Sequence, residues 1–133
     1  MIQANVKWKQ QTQFDGRAGS GHSIKVDGDS KAGNSPMELV LIALCGCTEY
    51  DVVTILQKKR EPLTGVEVSA NAEKAPTPPS VLTEIKLTYR VAGNVSRKAV
   101  EDAVRLSDEK YCSVAAMLSK TARITYEIEL DSK

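Results

Sequence analysis

The sequence has no surplus of charge: 18 Lys and Arg stand against 17 Asp and Glu in 133 residues, a formal net charge of +1. No segment gathers enough basic side chains to follow a phosphate backbone, which sets nucleic acid aside as a partner. Long apolar runs are missing too. The longest, Leu39 to Cys45, has seven residues, against the roughly 20 of a bilayer-spanning helix, so no membrane association is expected. Residues 1–9 alternate polar and apolar side chains where a signal peptide needs a continuous apolar core, and the expected compartment is the cytoplasm. There is no internal repeat and no low-complexity tail, and the length suits a single domain, residues 1–133. Cysteine is scarce and odd in number, three in all. Without an export signal, that count argues against a disulfide framework and for thiols that are buried, metal-bound or reactive.

What is present reads as α+β. Five segments alternate with period two, as strands with one face on a core do. Ile2, Ala4, Val6 and Trp8 share one face of the first, and His22, Ile24 and Val26 one face of the second, which predicts an amino-terminal pair. Val66, Val68, Ala70 and Ala72 face Ile85, Leu87, Tyr89 and Val91 in a predicted hairpin. Its connection, Ala75-Pro76-Thr77-Pro78-Pro79-Ser80, is too proline-rich to join a ladder. Ile124, Tyr126, Ile128 and Leu130 mark a fifth strand.

Helical signals fall in three places. Ser35 as N-cap, Pro36 at the first helical position and Glu38 three residues after Ser35 form a capping box, opening a long helix predicted to reach about Lys59. Ser96 caps a second, with Ala99, Val100, Ala103, Val104 and Leu106 on one face. A short third helix is expected from about Ser113 to Lys120. The first helix is apolar on every side from Leu39 to Cys45, so one sheet would leave about half of it in water; a second copy of the chain is the simplest cover, and a homodimer is expected.

Chemistry, on these grounds, falls to Cys47 and Cys112. Cys47 lies mid-helix beside Gly46, whose missing side chain leaves room for an approaching substrate. Cys112 precedes the third helix, whose terminal N–H groups, with Lys110, would favour a thiolate there. Two readings of the pair stand: a redox couple, or two small buried hydrophobes. Cys45, about 200° around the helix from Cys47, is expected in the core. A metal site is not expected, because ligands two apart on a helix cannot converge on one ion and the only histidine, His22, lies on an apolar strand face.

Ser35-Pro36-Met37-Glu38-Leu39, the aliphatic run ending in Gly46-Cys47, and Glu109-Lys110-Tyr111-Cys112-Ser113-Val114 together resemble the two signature segments of the osmotically inducible protein C / organic hydroperoxide resistance (OsmC/Ohr) family. The order of strands, cysteine-bearing helix, hairpin, second helix, cysteine and last strand is similar over nearly the whole chain. The resemblance implies an OsmC-like fold of antiparallel strands flanking a long central helix, in an intertwined homodimer. It also implies a thiol peroxidase that uses no cofactor or metal. Cys47 would attack a hydrophobic organic hydroperoxide and become a sulfenic acid, Cys112 would resolve it as a disulfide, and a dithiol, of the lipoyl kind, would return the electrons. Arg17, expected in a Gly-flanked loop, and Glu38 would activate the thiol and orient the peroxide. One departure is visible: the hydroperoxide reductases carry glutamate directly after the proline, where this chain has Met37. Glu38 is one position later and about 100° around the helix, where it serves the capping box. The alternative that this departure favours is an OsmC-like dimer that binds a hydrophobic small molecule without peroxidase activity.

Overall fold

The structure, a computed structural model, describes residues 1–131. They form two compact units, residues 1–42 and residues from 43 onward, and the boundary falls inside the first helix.

In the amino-terminal unit, β1 (Ala4–Gln10), β2 (Gln13–Ala18) and β3 (Ser23–Asp27) make an antiparallel sheet in that order. The predicted strand pair is therefore a triplet, with β2 between its two members. Gln13-Phe14-Asp15-Gly16-Arg17-Ala18 alternates polar side chains with Phe14, Gly16 and Ala18, but a glycine and an alanine make that apolar face too slight to announce a strand. Gly16 nevertheless holds its place in the ladder, between Val6 and Ile24, because Ile24 fills the space beside it; a Cβ on Gly16 would come within 3.3 Å of Ile24 Cγ1. Arg17 is accordingly a strand residue, opposite Asn5 and Ser23, and not part of a loop. The apolar face of β1 also departs from expectation, since Val6 and Trp8 are exposed.

Asp27 closes β3 and organises the turn after it. Its buried carboxylate accepts hydrogen bonds from Thr12 Oγ1 at 2.6 Å, the Asp29 N–H at 2.8 Å and the Ala32 N–H at 2.9 Å. These donors, the Thr12 hydroxyl above all, hold its pKa down at about 2.

The first helix, α1 (Pro36–Lys58), starts at the predicted capping box: the Glu38 N–H donates to Ser35 Oγ at 3.2 Å and the Ser35 N–H to Glu38 Oε1 at 2.8 Å. By length and composition α1 is apolar enough to cross a membrane. The seven-residue run understates this, because Gly46 and Thr48 end the run without making the helix polar. Its buried residues, Leu44, Thr48, Val52 and Leu56, are spaced by four and form one ridge.

In the second unit, β4 (Leu63–Lys74) and β5 (Leu82–Gly93) form the predicted hairpin, with Val68 opposite Tyr89 and Ala70 opposite Leu87. The last strand, β6 (Arg123–Asp131), lies on the other edge of β5 and runs parallel to it. That corrects the expectation of an all-antiparallel arrangement. A parallel neighbour needs a long crossover, and the chain supplies one in α2 (Arg97–Leu106), a π turn (Ser107–Tyr111) and α3 (Ser113–Leu118). Strand β5, central in the sheet, buries Ile85, Leu87, Tyr89 and Val91 on one face, while its other face carries exposed ion pairs such as Arg90 with Glu129 at 3.1 Å. Ser96 caps α2 by accepting from the Ala99 N–H, and Ala99, Val100, Ala103 and Val104 are buried as the spacing predicts.

Candidate functional site

Halfway along α1 the buried ridge passes Thr48, and the residue before it, Cys47, is half-buried at the ridge's flank. Cys45 is half-buried as well, and so is not the core residue expected; burial and the Glu49 carboxylate one turn away push its thiol up. Between them Gly46 is exposed, and a Cβ there would have nothing of this chain within 4 Å.

Cys112 reaches this stretch of helix from the crossover. The π turn ends when the Cys112 N–H donates to the Ser107 carbonyl at 2.9 Å, and the backbone then leaves helical geometry at Cys112 (φ −77°, ψ 102°). Cys112 is the N-cap of α3, accepting the Ala115 N–H on its sulfur at 3.4 Å. Its thiol lies near enough to Cys47 for that residue to bear on its titration.

The charge state differs from the sequence expectation. In place of the expected thiolate, Cys112 carries a thiol pushed up to about 12, first by burial and then by Cys47, against an opposing pull from the Ala115 N–H, with the Asp51 carboxylate adding a lesser push. Lys110 offers no relief; its ammonium lies 5.4 Å from the centre of the Tyr111 ring. Cys112 is held protonated.

Beside the thiols runs a chain of buried hydroxyls with no counterpart in the sequence reading. Ser107 Oγ lies 2.8 Å from Asp51 Oδ2 and 2.8 Å from Thr48 Oγ1, which in turn lies 2.6 Å from the Tyr89 hydroxyl. A carboxylate only accepts, and each hydroxyl has one hydrogen. Ser107 therefore donates to Asp51, Thr48 to Ser107 and Tyr89 to Thr48. Burial pushes the Tyr89 phenol up, which keeps that first donor protonated. The signal is visible as polar residues on apolar faces: Thr48 between Leu44 and Val52, Ser107 after Ala103 and Val104, and Tyr89 between Leu87 and Val91.

The other two candidates belong to the amino-terminal unit. Glu38 is engaged in the capping box and also accepts from Ser30 Oγ at 3.0 Å; the Ser35 N–H, then the Ser30 hydroxyl, hold its carboxyl below the usual range. Arg17 lines an apolar cavity of about 600 Å³ with Val6, Phe14, His22, Ile24 and Leu39. Among the described residues no group of three or more His, Cys, Asp or Glu is placed to hold a metal ion.

Residues 27–127 match the model of the OsmC-like protein family. The chain is 45% identical to protein YhfA of Escherichia coli strain K12 over 131 residues, 97% of this chain and 98% of YhfA. The chain belongs to the OsmC-like protein family. Among solved structures, a hypothetical protein from Aquifex aeolicus VF5 is 30% identical with a TM-score of 0.86, covering 98% of both chains. The organic hydroperoxide resistance protein OsmC of Legionella pneumophila superposes with a TM-score of 0.72 over 97% of this chain and 96% of its own, at 13% identity. At that identity the likeness is one of fold: an α+β OsmC-like architecture with a long cysteine-bearing helix and two small sheets.

Proposed function

We propose that this OsmC-like protein is a thiol peroxidase that reduces organic hydroperoxides through Cys47 and Cys112. The observation that carries the reading is that Ser107, whose carbonyl holds the Cys112 N–H, is bonded to Thr48 and Asp51 beside Cys47, which brings together two thiols that differ in kind, one half-buried and one buried and held protonated. The Cys47 thiolate attacks the distal peroxide oxygen, the O–O bond breaks, and the alkoxide takes up a proton and leaves as the alcohol, with Cys47 now a sulfenic acid. The Cys112 sulfur then attacks the Cys47 sulfur. The S–S bond forms, the S–O bond breaks, and hydroxide departs as water with the Cys112 proton. Two thiols lose two electrons and the peroxide gains them; a dithiol of the lipoyl class restores the pair by exchange.

The working form is a homodimer. Ile42 and Tyr50 of α1 are 54% and 69% exposed, and Gly46 between them opens the helix backbone to an approaching surface. Two such residues on a helix that is apolar all round call for a covering partner.

A second reading, an OsmC-like dimer that binds a hydrophobic small molecule, is favoured by one observation: Glu38 is already engaged by Ser35 and Ser30. Incubating the reduced protein with one equivalent of cumene hydroperoxide separates the two. Peroxide loss in the wild type, its absence in Cys47→Ser and a single oxidation that stalls in Cys112→Ser are the results expected of a peroxidase. Equal loss in all three proteins overturns that function.

A further inference from the structure

A cysteine can resolve a sulfenic acid only if its sulfur is held at the right angle and distance, and Cys112 directly follows a five-residue π turn. Such a turn aims the residue that follows it well only if its first is fixed. That first residue is Ser107, which is fully buried and bonded through both its backbone and its side chain. Its carbonyl accepts the Cys112 N–H and so closes the turn. Its hydroxyl donates to Asp51 and accepts from Thr48. Thr48 is the residue after Cys47, and Asp51 lies one helical turn beyond Cys47. The grip on α1 is therefore taken at the segment that carries the other sulfur.

We propose that Ser107 is the positioning residue of the thiol pair: it fixes the turn that carries Cys112 so that its sulfur faces Cys47, and thereby governs the closure of the disulfide. The proposal rests on the assignment of Cys47 and Cys112 as a redox pair. Ser107 holds Cys112 by its backbone N–H. It acts through Cys112, in the step where the Cys112 sulfur displaces hydroxide from the Cys47 sulfenic acid and water leaves.

Two oxidants test it on wild type, Ser107→Ala, Asp51→Ala and Asp51→Asn. Cumene hydroperoxide is used with dimedone present to trap sulfenic acid. Diamide closes adjacent thiols directly, its N=N bond taking up the two electrons and two protons. Ser107→Ala and Asp51→Ala are expected to slow Cys47–Cys112 closure by about tenfold or more with either oxidant, and to raise the dimedone-labelled fraction of Cys47 with hydroperoxide. Asp51→Asn, whose amide oxygen still accepts from Ser107, is expected to form the disulfide at nearly the wild-type rate, a rescue that a bulk loss of stability does not produce. Wild-type closure in both alanine variants overturns the proposal. If Ser107→Ala does not fold, equal closure in Asp51→Ala and Asp51→Asn overturns it. A wild type inert to hydroperoxide, yet closing under diamide with slow alanine variants, overturns the peroxidase and supports the positioning role. A wild type that forms no disulfide under diamide overturns the positioning role.

Discussion

Cys47 bears on the titration of Cys112 across 65 positions of sequence, and the buried Cys112 thiol is pushed up to about 12. An exposed thiol ionises near 8.5. With the folded pKa above the unfolded one, the stabilisation is complete below about pH 8.5 and is lost as pH rises toward 12. The thermal midpoint of the reduced protein is expected to fall more steeply above pH 9 than that of Cys112→Ala. Parallel curves for the two proteins would refute the burial-driven shift.

Oxidation of the pair should be visible as stability. A bond between Cys47 and Cys112 constrains the unfolded chain by about 4 kcal/mol on the loop-entropy account. For a domain of this size that raises the midpoint by on the order of 10 °C. Calorimetry before and after diamide treatment, with the free-thiol count followed in parallel, checks it; an unchanged midpoint with two thiols lost would show the gain offset by strain.

The direction of the hydroxyl chain makes Thr48 and Tyr89 unequal. Tyr89→Phe removes a donor and leaves Thr48 with an unused lone pair, a loss of about 1 kcal/mol. Thr48→Val, of similar shape, strands the Tyr89 O–H in the core and takes a donor from Ser107, costing about 2 to 3 kcal/mol. Urea denaturation of both variants is expected to rank them in that order, and the reverse ranking would mean the hydrogens run the other way.

On the acid side, Asp27 and Glu38 act together. Both carboxyls are depressed by hydrogen-bond donors, Asp27 to about 2. Folded values below unfolded ones mean stability that is present above the ordinary carboxyl range and lost as pH falls toward 2. Asp27→Asn is expected to flatten the decline between pH 4 and 2, and Glu38→Gln to flatten its upper part. Ser35→Ala, which removes the cap, costs about 1 kcal/mol at neutral pH. Midpoints across that pH range for the three variants test each contribution.

Much of this is legible where local rules suffice. Ser35, Pro36 and Glu38 fix the start of α1 because capping is decided within four residues, and the alternation of Val66 to Ala72 against Ile85 to Val91 fixes the hairpin. Strand β2 escapes because its alternation sets only Phe14, Gly16 and Ala18 against Gln13, Asp15 and Arg17, and the cross-strand fit of Ile24 that favours a glycine there is seen only in the fold. That β6 is parallel to β5 depends on the length and path of the crossover, which no strand's own residues report. The two sulfurs stand out by their motifs, but the protonation of Cys112 does not: Lys110 is near in sequence, whereas burial and Asp51 arrive only with the tertiary fold. Thr48 and Ser107 go unnoticed because a hydroxyl on an apolar face is read only when its partner, on another element, is in view.

The π turn has a consequence for the length of this segment. Such a turn is an α-helical one widened by an inserted residue. Removing a single residue between Ser107 and Tyr111 would let α2 continue in ordinary helical geometry and swing the adjoining α3 by about 100° around its axis. Cys112 would survive in the sequence, in its motif and next to α3, and still point away from its partner. The proposed pairing of the sulfurs is thus a matter of count as much as of chemistry: the spacer between α2 and α3 works as a gauge of where Cys112 points.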